Sequence, residues 1–268
     1  MSHPVYRHKF APLQLEPVNY YVEDDPVPEY RHASSSAYEA FRDMKYGIRI
    51  HWGVYALQNV EASWPLVLKY DNAQRQEYQQ LYQRFNPKNF DANRWMKFFA
   101  RNGLKMFTFT TKHADGFCMF DTKSRVKQRV NWLAPGGAAI EECDLAYSVM
   151  DSPFQRDIVK ELCDAAHAHG IKIDLYFSHP DWYDADFRNY FFHPIQTPAY
   201  IADRKAFGDN AHFRIDPPAM LGPDPTPQNL ERMMSRYRQQ VIELLSNYGK
   251  IDMMCFDAVL GPKAWPYL

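Results

Sequence analysis

The chain has 268 residues, 46% hydrophobic, 24% charged and 16% aromatic, with 31 basic and 32 acidic side chains for a formal net charge of -1. This interspersed, near-neutral balance excludes a basic nucleic-acid footprint and a polyanionic tail, and no stretch approaches the ~18 apolar residues of a membrane-spanning helix. Cys118, Cys143, Cys163 and Cys255 share no CxxC spacing and are too sparse for a disulfide scaffold, so they are expected to be reduced.

The N-terminus lacks an apolar core behind a basic end, so no signal peptide is read. The expectation is a soluble chain, cytoplasmic if that N-terminus is native. Residues 1–37 are rich in Pro, Tyr, His and charge without a sustained period and are read as an extended arm preceding a domain over 38–268. YGIRI at 46–50 reads as a strand buried on both faces and ends at His51. A helix is predicted over 75–84, then another capped by Asp91, with Trp95, Phe98 and Phe99 on one side. Asn102-Gly103 stops that helix, and LKMFTFTT follows as a strand running out into His113.

Ser152 with Gln155 three residues on, and Pro153 at the first helical position, spell a capping box. The helix expected there carries Phe154, Ile158, Leu162 and Ala165 or Ala166 as its apolar stripe. His169-Gly170 leads into the strand IKIDLYFS and then Ser178-His179-Pro180-Asp181. Thr226-Pro227 opens a helix with Leu230, Met233, Tyr237, Val241, Leu244 and Tyr248 at three- and four-residue spacing, and Gly249 feeds a last strand that delivers Asp257.

Three repeats of helix, glycine and strand imply a parallel sheet with right-handed crossovers. Chemically loaded residues at the strand ends point to an α/β fold of the (β/α)8 TIM-barrel type. A full barrel takes roughly 250 residues, but the long connections 114–151 and 179–226 leave room here for about the first four units. A partial barrel, truncated after its fourth strand, is therefore expected, and its unpaired edges invite self-association. An aromatic excess suits sugar stacking and a large barrel core alike.

A carboxylate at the end of a buried strand is usually a cap or turn residue. Here Asp257 is joined by His51 and His113 from two other strand ends, which favours a shared pocket at one barrel mouth. His113 and Asp115 lack a third ligand at metal-binding spacing, so no metal is expected, nor any cofactor.

The runs FRDMKYGIRIHWGVYA, FNPKNFDANRWMKFFARNGLKMFTFTTKHADGFCMFDTK, RDIVKELCDAAHAHGIKIDLYFSHPDW and LLSNYGKIDMMCFD resemble the catalytic barrel of the α-L-fucosidases of glycoside hydrolase family 29, collinearly from about residue 41 onward. The resemblance implies a retaining exo-glycosidase acting on a fucoside or related glycoside through a covalent glycosyl-enzyme intermediate, with Asp257 at the nucleophile position. It also implies that His51 and His113 hydrogen-bond sugar hydroxyls, that Trp64 packs on the sugar's apolar face, and that Tyr176 or its neighbour Phe177 faces the nucleophile. Three positions depart from the family pattern. Ser63 replaces a glutamate, Ala114 a second histidine, and Cys255 a tryptophan near the nucleophile.

Loss of a hydroxyl-binding group changes selectivity strongly, so these departures bear on the preference for fucose. The family's acid/base lies beyond the fourth strand, and this chain alone is expected to be inactive. Glu61, Asp115 and Asp181 are candidate substitutes within the chain, with loop ordering the alternative role for Asp115. Loop residues Trp132, Glu141, Glu142, Asp144, Trp182, Tyr183, Asp184, Asp186 and His193 are further candidates for substrate contact or plain loop decoration. The alternative to an enzyme is a non-catalytic or vestigial carbohydrate-binding half-barrel.

Overall fold

The computed structural model describes residues 5–7, 21–23, 34–189, 193–196 and 225–257. Most of the expected N-terminal arm and of the 179–226 connection lies outside them. The chain divides into two units, Met1–Tyr46 and Gly47–Leu268. In the first, β1 (Val5–Arg7) pairs antiparallel with β2 (Tyr21–Glu23). It also holds a helix not foreseen from the sequence, α1 (Ser35–Met44), which opens where Ser34 accepts from Ala37 N at 3.2 Å.

The second unit is built on a parallel sheet in the order β3 (Gly47–Ile50), β4 (Met106–Lys112), β7 (Lys172–Ser178) and β8 (Met253–Asp257). Each strand advances the sheet by one position. Register places Arg49, Thr108, Asp174 and Met253 in one row, with Thr110, Tyr176 and Cys255 in the next. These residues share a face, because side chains alternate along a strand. The opposite face carries Phe107, Phe109, Ile173, Leu175 and Phe177, all fully buried. Against it lie α4 (Ala92–Arg101) and α5 (Ile158–His169), which also pack on each other.

Asp91 caps α4 as expected, accepting from Arg94 N at 2.9 Å. Phe98, however, is 61% exposed, and Met96 lies in the core with Phe99 instead. After the single turn of α2 (Pro65–Leu68), the helix predicted over 75–84 splits into α3 (Asn72–Tyr78), opened by a capping box of Asp71 and Gln74, and a 3-10 turn over Leu81–Arg84. The predicted start at Ser152 also moves. Ser152 Oγ donates to Val149 O at 2.6 Å, Gln155 has φ 48°, and α5 begins only after Asp157, whose side chain accepts from Lys160 N at 2.8 Å. A local motif lost here to a better cap five residues on.

The last helix, α6 (Pro227–Ser246), opens on Thr226 as read, with Asn229 completing the box. The long connection after β4 is not structureless. It folds into an antiparallel hairpin of β5 (Val126–Asn131) and β6 (Ala139–Leu145).

Candidate functional site at the strand ends

The strands deliver His51, His113, Ser178 and Asp257 at the same edge of the sheet, since all run parallel. A register shift between Thr110 and Lys112 decides which of two neighbours belongs to the site. It sends Lys112 to the helix side, where its Nζ lies 4.2 Å from the Phe177 ring centroid, and returns His113 to the site.

There the His51 and His113 rings meet edge to face at 4.8 Å, His51 stands 5.2 Å from the Tyr176 ring, and Tyr176 stacks parallel to His113 at 6.1 Å. The Tyr176 hydroxyl donates to Asp257 Oδ2 and also lies 2.9 Å from Ser178 Oγ. Of the two neighbours left open by the sequence, Tyr176 therefore faces Asp257, while Phe177 belongs to the opposite layer.

Ser63 Oγ is hydrogen-bonded to His113 Nδ1 across 50 residues of sequence. The hydroxyl is wholly buried and fixes which edge of the imidazole is engaged, leaving Nε2 as the nitrogen Ser63 does not use. Burial, reinforced by His51 and Arg49, lowers His113 to about 3, so the ring is neutral near pH 7. His51 is also lowered, first by burial and then by Arg49, with Asp257 and Glu61 pulling the other way. Burial raises the Tyr176 phenol, which stays protonated and able to donate. The site thus offers two neutral imidazoles and a phenol beside one carboxylate.

Trp64 is 36% exposed, meets Trp182 edge to face at 5.5 Å, and shares a surface pocket with Asn59, Glu61, Pro65, Leu68 and Lys69. Cys255 sits half-buried two residues before Asp257, its thiol raised by burial. The structure brings His51, His113, Tyr176 and Asp257 together, with Cys255 level with Tyr176 on the same face.

The other carboxylates separate by environment. Asp115 accepts from Tyr78 Oη at 2.5 Å and from Phe117 N at 3.1 Å, ordering the turn after His113, and burial raises it to about 7. Asp181 is bound to Arg236 and lies 3.9 Å from Lys112 Nζ. Of the three substitutes for an acid/base, only Glu61 stands by the pocket and acts on His51.

The loop candidates are spent on structure. Glu141 pairs with Arg129 at 2.8 Å, Asp144 with Arg125 and Lys127, and Gln128 donates to Glu142. Asp186 takes both arms of Arg232 at 2.8 Å, and Asp184 lies 3.7 Å from Arg236. Trp132, Tyr183 and His193 are buried. Among the described residues no cluster of three His, Cys, Asp or Glu could hold a metal, and no helix is long and apolar enough to cross a membrane.

Arg49 was not foreseen as part of the site, having been absorbed into the reading of its strand. Ser63 was read as an altered sugar-contact position, but its bond to His113, 50 residues away, was not foreseen.

A sequence profile described as Alpha-L-fucosidase matches residues 27–265. Plasma alpha-L-fucosidase of Homo sapiens is 29% identical over 241 residues, covering 85% of this chain and 43% of that protein. Alpha-L-fucosidase of Dictyostelium discoideum is 25% identical over 235 residues, 78% of this chain and 43% of that one. Among solved structures, alpha-L-fucosidase isoenzyme 1 from Paenibacillus thiaminolyticus superimposes with a TM-score of 0.57 at 29% identity, over 83% of this chain and 43% of that chain. A GH29 alpha-L-fucosidase from Bacteroides thetaiotaomicron, trapped as a covalent intermediate with 2-fluoro-fucosyl fluoride, aligns with a TM-score of 0.57 at 25% identity, over 84% and 42%. The chain spans about 43% of the length of the plasma and slime-mould proteins it matches.

Proposed function

This chain belongs to the α-L-fucosidase family, and from that we propose that its sheet is the first half of a (β/α)8 barrel carrying the nucleophile of a retaining glycoside hydrolase. The substrate class is a terminal α-linked sugar, a fucoside or close relative. Asp257 attacks the anomeric carbon, forming the glycosyl-enzyme ester as the leaving group departs, and water then cleaves the ester. Tyr176 steadies the carboxylate through Oδ2. His51 and His113, both neutral, hydrogen-bond the sugar hydroxyls, and Trp64 covers an apolar sugar face. Retention needs a second carboxyl about 5–5.5 Å from the first, supplied by a later loop of the whole protein.

The observation that supports this most is the meeting of His51, His113, Tyr176 and Asp257 at one edge of a parallel sheet. The test is hydrolysis of a panel of aryl glycosides by the whole protein and by Asp257→Ala. The substitution is expected to lower kcat on the order of 10³-fold or more, with azide restoring part of the turnover. Unchanged turnover would remove Asp257 from the role. A second reading, carbohydrate binding without catalysis, is favoured by the engagement of Asp115 and Asp181 in structural bonds. It predicts calorimetric binding of fucose with no hydrolysis by the whole protein.

A further inference from the structure

Arg49 is exposed on β3, yet its guanidinium lies over a residue of the site. It lies on the same sheet face as Tyr176, Asp174 and Cys255, one row below Tyr176 and Cys255 and two below the Ser178–Asp257 pair at the strand ends. Its guanidinium carbon lies 4.7 Å from the Tyr176 ring centroid, stacked on the phenol whose hydroxyl donates to Asp257. Its positive charge also acts on the Cys255 thiol, favouring the thiolate. Across the row stands Asp174, 5% exposed, whose Oδ2 accepts from Thr108 at 2.8 Å and whose Oδ1 has no hydrogen-bond partner among the described residues. A planar cation over an aromatic ring, beside a buried carboxylate, is held by cation–π attraction and by charge together.

We propose that Arg49 is a positioning residue of the site: stacked on Tyr176, with the buried Asp174 carboxylate across the row, it holds the phenol in the orientation from which it donates to Asp257. The same fixed charge acts on the groups above it. His51 faces Arg49 on its own strand, Asp257 at the end of β8, Glu61 in the 59–63 segment, His113 at the end of β4, and the rings of Tyr55 and Tyr176. Of these, Arg49 is the cation that disfavours the imidazolium. Cys255 likewise has Arg49 favouring its thiolate, against burial, Asp174 and Asp257.

The kinetic arm of this proposal rests on the reading of Asp257 as nucleophile, so two readouts are chosen that need no turnover. In Arg49→Met, the His51 ring proton followed by NMR should titrate at higher pH than in the parent protein. Alkylation of Cys255 by iodoacetamide, measured by peptide mass spectrometry at pH 8, should slow. On an aryl glycoside, Arg49→Met should lower kcat by about tenfold with KM little changed, and Arg49→Lys should recover part of that through its charge alone. His51 and Cys255 behaving as in the parent protein would overturn the proposal. So would a fall in kcat without either shift, the mark of a merely structural loss. A protein that hydrolyses no glycoside but shows both shifts would sink the nucleophile assignment and leave the placement of Arg49 standing.

Discussion

Ser63 and His113 show how much of a site can rest on one contact. With Nδ1 held by the Ser63 hydroxyl, the neutral His113 ring presents a defined second nitrogen. Ser63→Ala should lower kcat/KM by about fivefold to thirtyfold, the range expected for a hydrogen bond of about 1–2 kcal/mol. Steady-state kinetics check this, and an unchanged value would mean that His113 does not touch the reacting sugar. His51, His113 and Asp257 were legible in the sequence because each stands where a predicted strand runs out. Arg49 was not, nor was the bond of Ser63 to His113, since these come from register and from a loop closing over 50 residues. Tyr176 against Phe177 was open by one residue until the pairing of Ser178 with Asp257 settled the parity.

Among the elements, the turn His113–Phe117 has the least tolerance. Gly116 has φ +82°, and a Cβ there would collide with Asp181 Oδ1. That carboxylate cannot yield, because it accepts from Tyr183 N at 3.2 Å and Asp184 N at 3.0 Å and is bound to Arg236 on α6. Gly116→Ala is expected to destabilise the protein by about 2–4 kcal/mol, from strain at positive φ plus a clash against a fixed group. Urea unfolding measures this, and a loss under about 1 kcal/mol would show that the loop after β7 adapts. The helices that the sequence placed correctly, α4 and α6, start at caps without nearby rivals. Of those it misplaced, α5 had two, and the Ser152 motif served a tighter turn instead. The β5–β6 hairpin was illegible because its outer face is charged and its pairing lies within a segment long enough to read as loop.

At the scale of the whole molecule, the buried ionisable groups oppose one another. Burial lowers His51, His113, His179 and His193, the last three to about 3, about 4 and about 3. Below about 6.5, therefore, the unfolded chain binds protons that the folded chain does not, and acidification destabilises. Burial raises Asp115, Asp157, Asp174 and Asp184, so the folded chain holds protons the unfolded one has lost, and acidification stabilises down to about pH 4. Below that the histidines act, joined by Asp181, where burial is outweighed by Arg236 and Lys112 and the carboxyl is held low, and by Asp252 and Asp144, also held low. The melting temperature should thus vary little from about pH 4.5 to 6.5 and fall steeply below about 4. A steady decline from pH 6.5 in calorimetry would contradict this balance.

The parallel α/β architecture was legible from three helix-glycine-strand repeats, whereas the hairpin and the buried charge network were not, because they depend on partners far apart in sequence. The central claim, that Asp257 is the nucleophile, is tested most directly by trapping. With 2-fluoro-fucosyl fluoride the leaving group is fluoride, which departs without a proton, so covalent labelling needs the nucleophile alone. Intact-mass and peptide mass spectrometry are expected to find one fluorofucosyl group on Asp257, absent in Asp257→Asn. No adduct, or an adduct on any other residue, would contradict the account.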